Sequence, residues 1–169
     1  GGAGVSALAR GLAVAVQRRS SALEYLGLDY CGAGVDGAVA LAELLASSKC
    51  PIASLTLCAN GLGAEGIREL AAAFGDVQKV GSQLRRLRLE DNRLDSEGAA
   101  ESLAPIAACG ARLDTLRLRG NALSELHVST LAHGVGSSSS LRTLDLADCA
   151  IGAAGLHALL EAARQQSTL

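Results

Sequence analysis

The stretch Leu84-Arg85-Arg86-Leu87-Arg88-Leu89-Glu90-Asp91-Asn92-Arg93-Leu94 reads L-x-x-L-x-L-x-x-N-x-L, and the frame occurs five times in the chain. The other occurrences are Leu23, Leu26, Leu28, Cys31, Ala33; Ile52, Leu55, Leu57, Asn60, Leu62; Leu113, Leu116, Leu118, Asn121, Leu123; and Leu141, Leu144, Leu146, Cys149, Ile151. A frame repeated in one register restricts the chain to stacked copies of one unit, each covering its neighbour's apolar face. The fourth and sixth positions alternate with polar ones at period two, as the inward residues of a strand do. The first position sits on the bend leading into that strand, and all three turn into the core. The ninth position follows the strand, where the backbone turns sharply between copies. Buried backbone N–H and C=O groups must be paired. An Asn side chain both donates and accepts, so Asn60, Asn92 and Asn121 are expected to form a ladder through the stack. Cys31 and Cys149 take that place in the first and last copies; a thiol is a small, weak donor that tolerates burial.

Repeat starts at 23, 52, 84, 113 and 141 are separated by 29, 32, 29 and 28 residues. That spacing leaves room for a strand of about four residues and a helix of about three turns. Helices are expected at roughly 36–48, 64–80, 96–109, 124–135 and 153–166, after a first helix over 1–22 that has no strand before it. Gly4, Leu8 and Leu12 match Gly66, Leu70 and Phe74, so the chain reads as starting inside a repeat. Leu169 falls 28 residues after Leu141, where a sixth strand would start. The expectation is a single repeat domain, 1–169, partial at both ends. Asp95 and Ser124 are candidate N-caps. Gly37, Gly66, Gly98 and Gly155 recur near the helix starts, where a missing side chain lets helix and strand layers approach. His127 holds that place in the fourth repeat and predicts a helix start displaced or turned outward. Leu41, Leu70, Leu131 and Leu159 should face inward, with Leu103 one place further along in its own repeat. Pro105 predicts a kink or an irregular turn. The three extra residues of the second interval fall around Gly75–Ser82 and predict a loop or an extended helix end.

Long repeats, alternating strand and helix, Gly and Ala in the helix and N or C at the ninth place resemble the ribonuclease-inhibitor-like leucine-rich repeats. CANGLGAEGIRELAAAF and LRTLDLADCAIGAAGLHALLEAA carry the likeness most closely, and it extends over essentially the whole chain. The resemblance implies an α/β leucine-rich-repeat solenoid: a right-handed β-α superhelix in a horseshoe arc, with a parallel concave sheet and convex helices. It implies a non-catalytic protein–protein interaction scaffold, a segment of a larger repeat protein or of a multi-subunit assembly. The alternatives it brings are a GTPase-activating module like the Ran regulator and the ligand-sensing repeats of a NOD-like receptor. A fold of this kind does not fix the partner.

Composition agrees with a stack of small units. Of 169 residues 49% are hydrophobic, yet the aromatic residues are only Phe74, Tyr25 and Tyr30, so Leu and Ala must fill the interior. A net charge of −2 gives no footprint for nucleic acid. No apolar run approaches the roughly 18 residues of a membrane helix, and the N-terminus lacks the layout of a signal peptide. Five cysteines, an odd number at repeat-determined places, point to reduced thiols and to a cytoplasmic setting, with nuclear or ciliary ones open.

No motif carries catalysis or a cofactor. The glycine-rich turns CGAGVDG and NGLGAEG lack the Lys-Ser/Thr of a phosphate loop. His127, His133 and His157 lie in different copies without partners at metal-ligand spacing. The cysteines have neither a base nor an oxyanion site assignable to them. What remains is the outward face of the strands. Arg86, Arg88, Arg117 and Arg119 should cluster there, since adjacent strands lie about 4.8 Å apart. Glu90, Asp91, Asp145 and Asp148 flank them. Arg suits bidentate contact with carboxylates, so a partner with an acidic segment is one reading, with Tyr25 and Tyr30 as aromatic anchors. A solvated face whose charges pair across strands is the other.

Overall fold

The structure is a computed structural model and describes residues 1–18, 21–74, 83–108 and 112–166, with Glu97 described by its backbone. Helix and strand alternate along the chain: α1 (Gly2–Gln17), β1 (Tyr25–Gly27), α2 (Gly34–Leu45), β2 (Ser54–Thr56), α3 (Gly63–Ala72), β3 (Arg86–Arg88), α4 (Glu97–Ala108), β4 (Thr115–Arg117), α5 (Glu125–Ser137), β5 (Thr143–Asp145) and α6 (Gly152–Gln166). The strands form one parallel sheet in chain order. Equal frame positions stand side by side: Leu26, Leu55, Leu87, Leu116 and Leu144 form one row across all five strands. Leu55, Leu87 and Leu116 are fully buried, as are Leu57, Leu89 and Leu118 two residues on. Each assigned strand is only three residues long, but cross-strand bonding continues past it. Tyr30, Ala59, Asp91 and Gly120 each donate their N–H to the next coil, at 2.8–3.0 Å.

The asparagine ladder is present and joins coil to coil in both senses. Asn92 Nδ2 donates to Leu57 O (2.8 Å) in the preceding coil and to Glu90 O (3.1 Å) in its own, while its Oδ1 accepts Asn60 N–H (3.1 Å) and Leu62 N–H (3.4 Å). Asn60 reaches back in the same way to Leu28 O and Ala33 N, and Asn121 to Leu89 O and Asn92 N. Cys149 copies half of this, its thiol donating to Leu118 O at 3.6 Å. Cys31 bonds Asp29 O in its own turn, no strand among the described residues lying before β1.

Several expectations are corrected. Leu23, expected in the core, is 40% exposed, because no coil among the described residues stacks on the outer side of β1. At the other end Leu144, Leu146 and Leu159 are only half-buried, for the same reason. Helix α3 ends at Ala72, short of the expected 80, and the extra residues at 75–82 lie outside the described residues. Asp95 is not the residue before α4: the helix starts at Glu97, and Ser96 O accepts its first-turn N–H from Ala99 (2.9 Å). Pro105 lies within α4, which continues to Ala108.

Ser124 does cap α5. His127 does not push that helix outward; it is 4% exposed, wedged between α4 and α5. Its Nε2 lies 2.9 Å from Ser96 O, a carbonyl that only accepts, so Nε2 carries the proton. Nδ1 then accepts from the Ser124 hydroxyl (2.6 Å) and N–H (3.3 Å). The imidazole thereby bonds polar groups at the starts of two helices at once.

Candidate site on the sheet face

The outward positions of the frame also form rows. The third-position row runs Tyr25, Ser54, Arg86, Thr115, Thr143, and the fifth-position row Gly27, Thr56, Arg88, Arg117, Asp145. The seventh positions are Asp29, Cys58, Glu90, Arg119 and Ala147; the eighth are Tyr30, Ala59, Asp91, Gly120 and Asp148. The eighth position takes positive φ in all five coils, from 53° at Ala59 to 71° at Gly120, and only the fourth uses glycine. A Cβ on Gly120 would meet the end of the exposed Asp91 side chain, which would have to move aside. Gly120→Ala should cost about 1–2 kcal/mol for the left-handed backbone and displace Asp91. A denaturation midpoint equal to that of the parent chain would contradict this packing.

A bonded network crosses the first three coils. Asp29 accepts Cys58 N–H (2.7 Å) and the Thr56 hydroxyl (2.9 Å). The Cys58 thiol donates to Glu90 Oε2 (2.8 Å), and Arg88 Nε donates to Glu90 Oε1 (3.0 Å). Burial works against the charge of Asp29, but hydrogen bonds from Cys58 and Thr56, with Arg88 nearby, outweigh it and hold its pKa below the ordinary value of 3.8. The stabilisation from this carboxylate is therefore complete above pH 3.8 and is lost as pH falls below it. Burial, then the carboxylates of Glu90 and Asp29, push the Cys58 thiol up to about 12. A raised thiol stabilises the fold below its unfolded value of 9.0, and that contribution is lost as pH rises from there toward about 12. Cys58 should accordingly resist iodoacetamide at pH 8 until the chain is unfolded. Peptide mapping that found Cys58 alkylated as fast in the native as in the denatured protein would contradict the network.

Beside the network lies an open concavity of about 490 Å³, lined by Asp29, Tyr30, Cys58, Arg88, Glu90, Asp91, Arg117, Arg119, Asp145 and Asp148. Of the expected site residues it gathers Tyr30, Arg88, Arg117, Arg119 and Asp145. Arg86 and Tyr25 stand apart in the third-position row, and Tyr25 folds its ring back over Gly27. Three arginines line the concavity and face five carboxylates. Arg119 is paired with Asp148 at 2.8 Å, which raises its pKa, and Arg88 with Glu90. Arg117 is exposed and has no ion pair among the described residues. Tyr30, at 79%, is more exposed than Tyr25, the other aromatic residue of the face. Cys58 was not among the residues the sequence singled out for this face. The signal was available, since Asp29, Cys58 and Glu90 hold the same frame position in consecutive repeats.

No group of three or more His, Cys, Asp or Glu among the described residues is arranged to hold a metal ion. No helix among them is long and apolar enough to cross a membrane. The four cysteines described, Cys31, Cys50, Cys58 and Cys149, are free thiols.

The family pattern described as Leucine Rich repeat matches residues 137–160, spanning the end of α5, β5 and the start of α6. Ribonuclease inhibitor of Sus scrofa is 32% identical over 148 residues, 87% of this chain. The chain is a leucine-rich-repeat protein of the ribonuclease-inhibitor-like subfamily. Ribonuclease inhibitor of Mus musculus is 31% identical over the whole chain. The human NACHT, LRR and PYD domains-containing protein 5 is 27% identical over 94% of it. The chain spans about a third of the length of the two inhibitors, 31% and 35%, and 15% of the human protein. These leucine-rich repeats align with a parallel five-stranded sheet and its helices, as the frame requires.

Proposed function

We propose that this leucine-rich-repeat segment is a non-catalytic protein-binding module that engages its partner across the fifth, seventh and eighth rows of the sheet face. The observation that carries this reading is the concavity over β1–β5, in which Arg88 is held by Glu90, Arg119 by Asp148, and Asp29 by Cys58 and Thr56. A surface held in place before binding loses little side-chain entropy when a partner arrives. Arg117 offers a bidentate fork to a partner carboxylate, and Arg86 extends it along the third row. Asp91 and Asp145 would take cationic groups of the same partner, and Tyr30 supplies an aromatic anchor of the type enriched at hot spots. A cytoplasmic setting, alone or within a larger complex, is part of the proposal and is supported by the free thiols.

The test is affinity capture with wild-type bait and with Arg117→Glu, Arg86→Glu and, as a control on the helix side, Arg68→Glu. A protein retained by wild type and Arg68→Glu but lost from Arg117→Glu supports the sheet-face reading. The same captured set for all four baits contradicts it and moves the contact elsewhere.

A further inference from the structure

The two sides of α4 are packed differently. Toward α5 the seam is closed: a Cβ on Gly134 would run into the backbone of Ala104, so only glycine lets these helices come so near. Toward α3 a Cβ on Gly98 would find its nearest neighbour, Ala64 Cβ, at 3.6 Å, an ordinary contact. The α3–α4 seam is left as a groove of about 770 Å³, against about 150 Å³ between α5 and α6. Its walls are small and apolar, with Ala64, Ala71 and Ala72 on α3 and Gly98 and Pro105 on α4. Ala72, Gly98 and Pro105 are exposed, so part of that apolar wall faces water. Pro105 has no N–H to return to Glu101 O one turn earlier. Both residues line the groove, so a carbonyl without its helical donor lies on that side. The charges of the rim are unbalanced. Glu65 stands on α3 and Glu101 on α4, and Arg68, the one cation of the lining, is held by Glu69 at 3.0 Å and Glu65 at 3.6 Å. Glu101 is exposed and has no ion pair among the described residues.

We propose that the α3–α4 groove receives a basic amphipathic helix of a protein partner. Small side chains on both walls let a third helix come close, and its apolar stripe covers Ala72 and Pro105. Lysine or arginine beside that stripe pairs with Glu101 and Glu65 and supplies an N–H to Glu101 O. An acidic helix would set its carboxylates against Glu65, Glu69 and Glu101 and is rejected by the same charges. This surface is on the helix side of the molecule and does not depend on the sheet-face reading.

The test is an NMR titration of the ¹⁵N-labelled full chain with a synthetic amphipathic helix of leucine and lysine, its counterpart of leucine and glutamate serving as control. The lysine peptide should shift the amides of Ala71, Ala72, Gly98, Glu101 and Ser102 most, and the glutamate peptide should leave them in place. Glu65→Lys/Glu101→Lys should weaken binding of the lysine peptide about tenfold or more, since two exposed attractions become repulsions. Ala72→Gln, which narrows the groove without changing its charge, should weaken it as well, and this separates seating in the groove from attraction between charges alone. All three positions are exposed, and circular dichroism checks that each variant keeps the parent spectrum. Four outcomes overturn the proposal: no binding of the lysine peptide, largest shifts on the sheet face or at the two ends of the stack, equal binding of the glutamate peptide, or a folded variant that binds as wild type does. The shift map of the wild-type chain decides the matter even if a variant does not fold.

Discussion

Leu87→Ala should lower the free energy of unfolding by about 2–5 kcal/mol, the range for truncating a fully buried leucine. Leu87 sits in the middle strand, flanked in register by Leu55 and Leu116, and all three are fully excluded from solvent. Truncation removes apolar surface and leaves a void that the flanking coils cannot close, since their own backbones are fixed by the ladder. The same change at Leu144 should cost clearly less. That side chain is half-buried on the outermost strand, so part of its burial was never gained. Chemical denaturation of both variants checks the ordering. A loss at Leu87 below about 0.5 kcal/mol, far under the range for a buried leucine, would mean that the frame has been placed in the wrong register.

Asn92→Ala should cost on the order of 3 kcal/mol, at the upper end of the range for a buried group left without its partner. The reason is the number of groups one amide serves. The substitution leaves Leu57 O, Glu90 O and the N–H groups of Asn60 and Leu62 without the bonds they make. The loss should fall short of the sum over four groups, because water can enter the space the amide leaves and serve some of them. Asn92→Cys, which copies the natural residue of the first and last coils, should lie between Asn and Ala. A thiol can donate to Leu57 O, as Cys149 does to Leu118 O, but it is a poor acceptor for the two N–H groups. If Asn92→Ala melted with the parent chain, the ladder would be incidental to the fold.

Much of this architecture was legible in the sequence because it is periodic. Spacings of 28–32 residues place equal frame positions side by side, and the period-two pattern then decides which side chains enter the core. The ladder followed from one requirement, that a buried turn find partners. What the frame did not convey was contact between rows and between unlike positions. His127 was read against the glycines of other repeats, although its partner Ser96 lies 31 residues away in the preceding coil. The spacing Ser124-x-x-His127 was the local sign that the ring would turn back to the cap. The arginines of the sheet face were expected as one cluster flanked by carboxylates, with the third, fifth and seventh positions pooled. Separated into rows, Arg86 lies beside Ser54 and Thr115, while Arg88 lies beside Arg117, which Asp145 follows. The ends show a third kind of gap. Leu23, Leu156 and Leu160 satisfy the pattern as well as any buried leucine does, and only the order of stacking exposes them.

The coils are held in register by their ninth-position residues, and the chain offers a direct probe of this. It contains only three asparagines, Asn60, Asn92 and Asn121, all on the ladder. Each side-chain amide is buried and donates to backbone carbonyls of its own and the preceding coil, with a shortest bond of 2.8 Å in every case. Hydrogen exchange of the side-chain NH₂ resonances, followed by NMR with asparagine-selective ¹⁵N labelling, reads all three without overlap from glutamine. Three NH₂ pairs should appear, all exchanging far more slowly than in the unfolded chain, with Asn92 in the central coil the slowest. An asparagine pair exchanging at the unfolded rate under native conditions would contradict the ladder, and with it the single continuous face on which the binding proposal stands.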